Sequence, residues 1–197
     1  LESIGVDGWT ARKVPEDSVV LAPNQFGMDA FDLEDAFGKQ EAHLCSKDLR
    51  EFIAENHLDL NQGGKFNPRD VFGSRRDMDH IYNTPRAWFM GRYLAPFSHT
   101  WEGEHAEYTP ESDNIPWCLV PDRKVTVEDV EYLLSGHYQG TPYNPYTNRD
   151  TGMRGMYRSI GINRTGVTAI LQIRPDKAQK GLHWVSFGST TFGAFLP

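Results

Sequence analysis

The sequence predicts an α+β fold in which helices are layered on a sheet, and three features of residues 126–174 carry that prediction. The first is an amphipathic helix in TVEDVEYLLSGHYQG. Thr126 and Asp129 have the spacing of a capping box, and Val125 and Val130 flank it as a hydrophobic staple. Val127, Val130, Leu133 and Leu134 then recur at helical spacing. The second is TPYNPY, residues 141–146, whose two prolines withhold backbone donors that a further helical turn requires. The third is a strand in GINRTGVTAILQIRP, where Val167, Ala169, Leu171 and Ile173 alternate with Thr168, Ile170, Gln172 and Arg174. Ile170 makes the second face partly apolar as well. A helix and a strand joined by a long ordered turn pack as layers.

In chain order, residues 8–14 and 18–22 read as two short strands hinged at Pro15–Glu16–Asp17, the pattern of a hairpin. Pro23, Asn24 and Gln25 end the second strand. Residues 26–43 are acidic and mixed, with Asp29, Asp32, Glu34 and Asp35, and read as a solvated loop. Ser46 is expected to cap a helix reaching Asn56, with Leu49, Phe52 and Ile53 on its apolar face. Gly63–Gly64 breaks the chain, and Asn67–Pro68 opens a short helix. Thr84–Pro85 opens another, running to Leu94 and followed by Pro96; Arg86 falls in its first turn, where a cation opposes the helix dipole. Residues 98–121 form a long polar connection studded with aromatics, of the kind that is either functional or mobile. A strand at 182–187 follows the turn at 175–181.

A chain of 197 residues is expected to form a single domain, residues 1–197. A net charge of −7 and a pI near 5.5 argue against a nucleic-acid surface, which needs clustered Lys and Arg. Arg75–Arg76, the one short basic cluster, is followed at once by Asp77 and Asp79. No apolar run approaches a membrane span, so no membrane partner is expected. Two cysteines, Cys45 and Cys118, make neither a disulfide framework nor a four-ligand zinc site. They read as reduced thiols, a single disulfide being the alternative, and the cytoplasm is the favoured compartment.

HYQGTPYNPY, GINRT, the ILQIRP strand and the closing WVSFGSTTFGAFLP resemble the C69 family of dipeptidases, which are N-terminal-nucleophile amide hydrolases. Upstream, GWTARKVPEDSVVLAPNQ and YNTPRAW extend the resemblance over most of the chain. It implies an αββα layered sandwich of the N-terminal-nucleophile type. It also implies hydrolysis of a dipeptide, or of another short amide with an exposed carboxylate, through a cysteinyl acyl-enzyme and without metal or other cofactor. In such enzymes the first residue of the mature chain supplies both nucleophile and base, through its thiol and its own α-amino group. Leu1 has no nucleophile, and neither Cys45 nor Cys118 can offer a free amine. These 197 residues are therefore expected to be the central portion of a larger domain, inactive alone, with a sheet edge and apolar positions left uncovered and self-association a possible result.

Two catalytic residues are implied. LAPNQ matches the strand end at which related cysteine amide hydrolases place an oxyanion-hole asparagine, which here is Asn24. YNTPR matches the arginine kept near the nucleophile, here Arg86, whose charge favours a thiolate and holds a carboxylate. Without the resemblance, Asn24 is a turn asparagine and Arg86 a surface arginine paired to a carboxylate. Asn163 in GINRT competes for the asparagine role. His99, Glu102, Glu104 and His105 lack the spacing of a helical zinc motif, so no metal site is expected there, and His137 reads as a packed or capping histidine. A noncatalytic interaction module that keeps the hydrolase fold is the alternative function.

Overall fold

Short strands divided among small antiparallel sheets make up the β structure. The computed structural model describes residues 1–58, 66–178 and 180–197, and the expected break at Gly63–Gly64 lies outside them. Strands β1 (Glu2–Ile4), β2 (Gly8–Arg12) and β4 (His43–Cys45) form one sheet in the order β1-β2-β4. β3 (Val19–Val20) pairs with β5 (Cys118–Leu119), and β6 (Val167–Ile173) with β7 (Gly181–Phe187). Six helices accompany them among the described residues: α1 (Leu33–Phe37), α2 (Leu49–Glu55), α3 (Pro68–Phe72), α4 (Asp79–Tyr82), α5 (Thr84–Leu94) and α6 (Val127–Leu134). The fold is mixed α/β, and no helix of the described residues is long and apolar enough to cross a membrane.

The expected hairpin does not form. The Ser18 amide closes a turn onto the Pro15 carbonyl at 3.1 Å, but β2 is already flanked by β1 on one edge and β4 on the other. With both edges taken, β3 pairs instead with β5, in the register Val19↔Leu119 and Val20↔Cys118. Residues 26–43 are not a solvated loop either. Met28 and Phe31 are 0% and 3% exposed, and the acidic side chains around them serve the backbone. Asp32 caps α1 by accepting from the amides of Glu34 and Asp35. The Asp35 carboxylate accepts from the amides of Glu41, Ala42 and His43, and these bonds hold it well below the usual carboxylate range. Nor is Ser46 the cap of α2: it is buried, its hydroxyl accepting from the Trp9 amide at 3.3 Å, and Asp48 precedes the helix.

Arg69, in the first turn of α3, fastens three segments together. It donates to the carbonyls of Gly27, Asp113 and Ile115 and approaches the Asp29 carboxylate at 3.4 Å. The core centres on α5, whose Ala87, Trp88, Phe89 and Leu94 pack with Leu21, Leu119, Leu133 and Tyr138. Residues 98–121 contribute Trp101, Tyr108, Ile115 and Trp117 to buried positions, so this connection is packed rather than polar along its length. Indole donors account for part of its order: Trp88 Nε1 donates to the Trp101 carbonyl at 3.0 Å, and Trp101 Nε1 to the Ala95 carbonyl at 2.8 Å.

α6 opens on the expected capping box. The Thr126 hydroxyl accepts from the Asp129 amide at 3.3 Å, and the Asp129 carboxylate from the Thr126 amide at 2.8 Å. The helix stops at Leu134, ahead of TPYNPY. Its end is set by packing: a β-carbon on Gly136 would lie 2.7 Å from Phe89 Cε1, and Tyr138 takes φ 61° as its ring enters the core. β6 has the expected period. Ile170 is buried on the face shared with Ser186, while Val167, Leu171, Ile173 and Phe187 on the other face are 60–84% exposed. α6 packs against β6, so this hairpin has one covered face and one bare apolar face.

Candidate active site

Two local rules put Asn24 and Arg86 side by side. The β3–β5 ladder continues as far as the Leu21 amide, which donates to the Trp117 carbonyl at 2.8 Å. Pro23, lacking a donor, cannot extend it, so the chain emerges at an exposed Asn24. Pro85 is preset for the first turn of α5, fixing Arg86 one residue further on. Leu21 and Ala87 share the same core, which lays the strand end over the start of the helix.

There Arg86 Nη2 donates to Asn24 Oδ1 at 2.9 Å and to Asn83 Oδ1 at 2.8 Å, and Arg86 Nε donates to the Tyr82 carbonyl. A guanidinium only donates, so the Asn24 atom facing it must be the carbonyl oxygen. The amide nitrogen of Asn24, on an exposed residue, is left without a hydrogen-bond acceptor among the described residues. The chain of bonds continues inward. Asn83 Nδ2 donates to Asp79 Oδ1 at 2.6 Å, and the other Asp79 oxygen accepts from the Ser74 hydroxyl and the Arg76 amide. Asp79 and Asn83 are each 6% exposed, so this relay is held away from water. Its donors hold the Asp79 carboxyl below its ordinary value against the upward push of burial.

The acceptors of Arg86 are a backbone carbonyl and two neutral amides, and no ion pair neutralises it among the described residues. Burial lowers its proton affinity, Tyr138 opposes that, and the nearby Arg158 lowers it further. A neutral donor and a cation without an ion pair among the described residues thus lie side by side. Their chain neighbours Pro23, Gln25, Thr84 and Ala87 line a small cavity that also includes Arg69 and Asp113, but neither Asn24 nor Arg86 is part of its wall. This pair can stabilise negative charge building up on an oxygen and can attract an anion.

The other candidates lie elsewhere in the bonding pattern. Asn163 is exposed in the turn closed by the Thr165 amide onto the Ile162 carbonyl, and no hydrogen bond joins it to Asn24 or Arg86. His99 pairs with Glu107 at 2.9 Å and Glu102 with Arg92 at 2.8 Å, and among the described residues no group of three or more acidic, His or Cys side chains is placed to hold a metal. His137 Nδ1 lies 3.1 Å from the Ser135 carbonyl, a contact local to the end of α6. Cys45 and Cys118 are free and partly buried, and burial pushes the Cys45 thiol up. Sequence reading missed Asp79 and Asn83, although Asn83 stands inside YNTPR and Asp79 one helical turn before it.

The profile of peptidase family C69 matches residues 1–197. Among curated proteins, the chain is 52% identical over 202 residues to a dipeptidase of Bifidobacterium longum, covering all of this chain and 38% of that protein. It is 47% identical over 201 residues to probable dipeptidase A of Streptococcus pyogenes serotype M1 and 38% identical over 200 residues to dipeptidase A of Lactobacillus helveticus. Each match covers all of this chain and 40% of the relative, so the chain spans about two fifths of the length of these proteins.

Proposed function

This chain belongs to peptidase family C69, and on that premise we propose that it is the central portion of a dipeptidase, a metal-independent cysteine amidohydrolase acting on dipeptides or similar short amides. The observation that carries the reading is the match to dipeptidases along the whole chain. The nucleophile is an N-terminal cysteine outside these 197 residues, and its thiolate attacks the scissile carbonyl while its α-amino group manages the proton. The amide nitrogen of Asn24 donates to the resulting oxyanion. Arg86 holds that amide in orientation through its oxygen and lends an unneutralised charge to the thiolate. The single domain of residues 1–197 is then one part of an αββα sandwich. The β6–β7 hairpin, with a helix on one face and bare Val167, Leu171, Ile173 and Phe187 on the other, supports that reading, because a second sheet would bury those side chains.

The test is steady-state hydrolysis of a dipeptide panel by the full-length protein, with a chelator present, and by residues 1–197 alone. Turnover by the full-length protein and none by the 197-residue chain is expected. A full-length protein that cleaves no member of the panel would leave a noncatalytic interaction module as the better description.

A further inference from the structure

Building on the proposed peptidase function, we infer that Arg158 is the carboxylate-recognising residue of this site, taking the free C-terminal carboxylate of a short peptide. Arg158 stands between buried Tyr157 and Ser159 in the connection ahead of β6. Its backbone is pinned from both sides: its amide donates to the Ile81 carbonyl at 3.0 Å, and its carbonyl accepts from the Tyr138 hydroxyl at 2.9 Å. The guanidinium lies over the Tyr82 ring, 5.5 Å from the centroid. Tyr82 is the residue whose carbonyl receives Arg86 Nε, so the two guanidiniums flank one side chain and its backbone.

The two cations are differently engaged. Arg86 places Nε and Nη2 on Tyr82, Asn83 and Asn24, all within the protein. Arg158 Nε is buried with no hydrogen-bond partner, and no ion pair holds this side chain among the described residues. Glu111, close by in the fold, accepts from the Tyr157 hydroxyl at 3.0 Å and forms no ion pair with Arg158. A buried donor left unmade is costly, and two neighbouring guanidiniums without a carboxylate between them repel. An incoming anion held by the two Nη atoms offsets that repulsion. Arg158 offers an unused planar fork, which matches the two oxygens of a carboxylate. Arg158 makes no contact with Asn24, whose oxygen is held by Arg86, so a carboxylate on Arg158 does not use the Asn24 amide nitrogen needed by the reacting carbonyl.

The experiment uses the full-length protein and one cleaved dipeptide, as its free acid and as its C-terminal amide, with wild type, R158K and R158Q. The wild type is expected to prefer the acid by about 10- to 100-fold in kcat/KM, the range for a charged hydrogen-bonded contact. R158Q should abolish that preference through KM, R158K should keep part of it, and kcat on the amide should hold steady in both. An R158Q protein that keeps the preference overturns the assignment, and this is also the outcome if a carboxylate outside residues 1–197 already neutralises Arg158. Should R158Q not fold, inhibition of the wild type decides: acetylglycine must inhibit far more strongly than acetylglycinamide, and equal inhibition overturns the proposal. Wild-type protein that cleaves neither peptide counts against the dipeptidase reading alone, since calorimetric binding of acetylglycine to wild type and R158K still decides the role of Arg158.

Discussion

Asn24 and Arg86 are expected to act as one unit, and a double-mutant cycle in the full-length protein measures it. Asn24→Ala removes the amide donor. One oxyanion donor is worth about 3–4 kcal/mol, so kcat should fall by about 10²–10³-fold. Arg86→Lys keeps the charge, but a single ammonium cannot reproduce the planar fork that reaches Tyr82, Asn83 and Asn24 together. Losing the 2.9 Å contact to Asn24 forfeits a charge-assisted bond of about 1.5–3 kcal/mol and frees the amide to rotate, so a loss of about 10–10²-fold is expected. If Arg86 works largely by aiming Asn24, it has nothing left to aim in the Asn24→Ala background. The double variant should then lie within about tenfold of the worse single variant rather than at the product of the two losses. Steady-state kinetics of the four proteins on one dipeptide, with thermal melts to check folding, gives the coupling directly. Losses that multiply, or an Arg86→Lys protein with wild-type kcat, would refute the unit.

Thr126→Ala should cost about 1 kcal/mol by removing one half of the capping box, lowering Tm by about 2–4 °C; an unchanged melt would place the start of α6 elsewhere. Asp129 is held well below the carboxylate range, first by the Arg123 fork and then by the Thr126 amide and the Tyr93 hydroxyl. Its folded-state value is depressed, so its contribution is complete above the unfolded value of about 3.9 and is lost as pH falls below it. Asp129→Asn should therefore lower stability at neutral pH and flatten the acid limb of the stability profile, and parallel wild-type and variant curves in acid would contradict this. Leu171→Lys should lower the Tm of the full-length protein by several degrees, because the bare face of β6 is expected to be covered there; no change would mean that Leu171 faces water.

Local signals were legible where the chain satisfies itself. The capping box of α6, the proline-led start of α5 and the alternation of β6 follow from neighbouring residues, and the structure places them where those residues indicate. Partner choice was not legible. Nothing between residues 8 and 22 announces that β2 has both edges occupied, because β1 and β4 come from elsewhere, and β3 finds its partner about a hundred residues away. The acidic residues at 32 and 35 suggested solvent because their targets are backbone amides, which every residue carries and no pattern reveals. At the site, the nearness of Asn24 to Arg86 could be expected only from the family resemblance. Asp79 and Arg158 carried no signal in sequence: one is marked by burial with its donors, the other by a buried donor that lacks an acceptor.

Arg69 has a kinetic side. Its bonds to Gly27, Asp113 and Ile115 join residues 42, 44 and 46 positions apart. Each of them closes a loop of more than forty residues, and the full set requires three distant stretches of chain to meet, so loop entropy is lost before the bonds compensate it. The helices α5 and α6, built on near neighbours, can form early. The segment around Gly27 must wait, and Asn24 is only three residues upstream of it. The residue proposed to meet the oxyanion is thus expected to be set in place late in folding, when the segment around Gly27, α3 and residues 113–115 meet at one guanidinium.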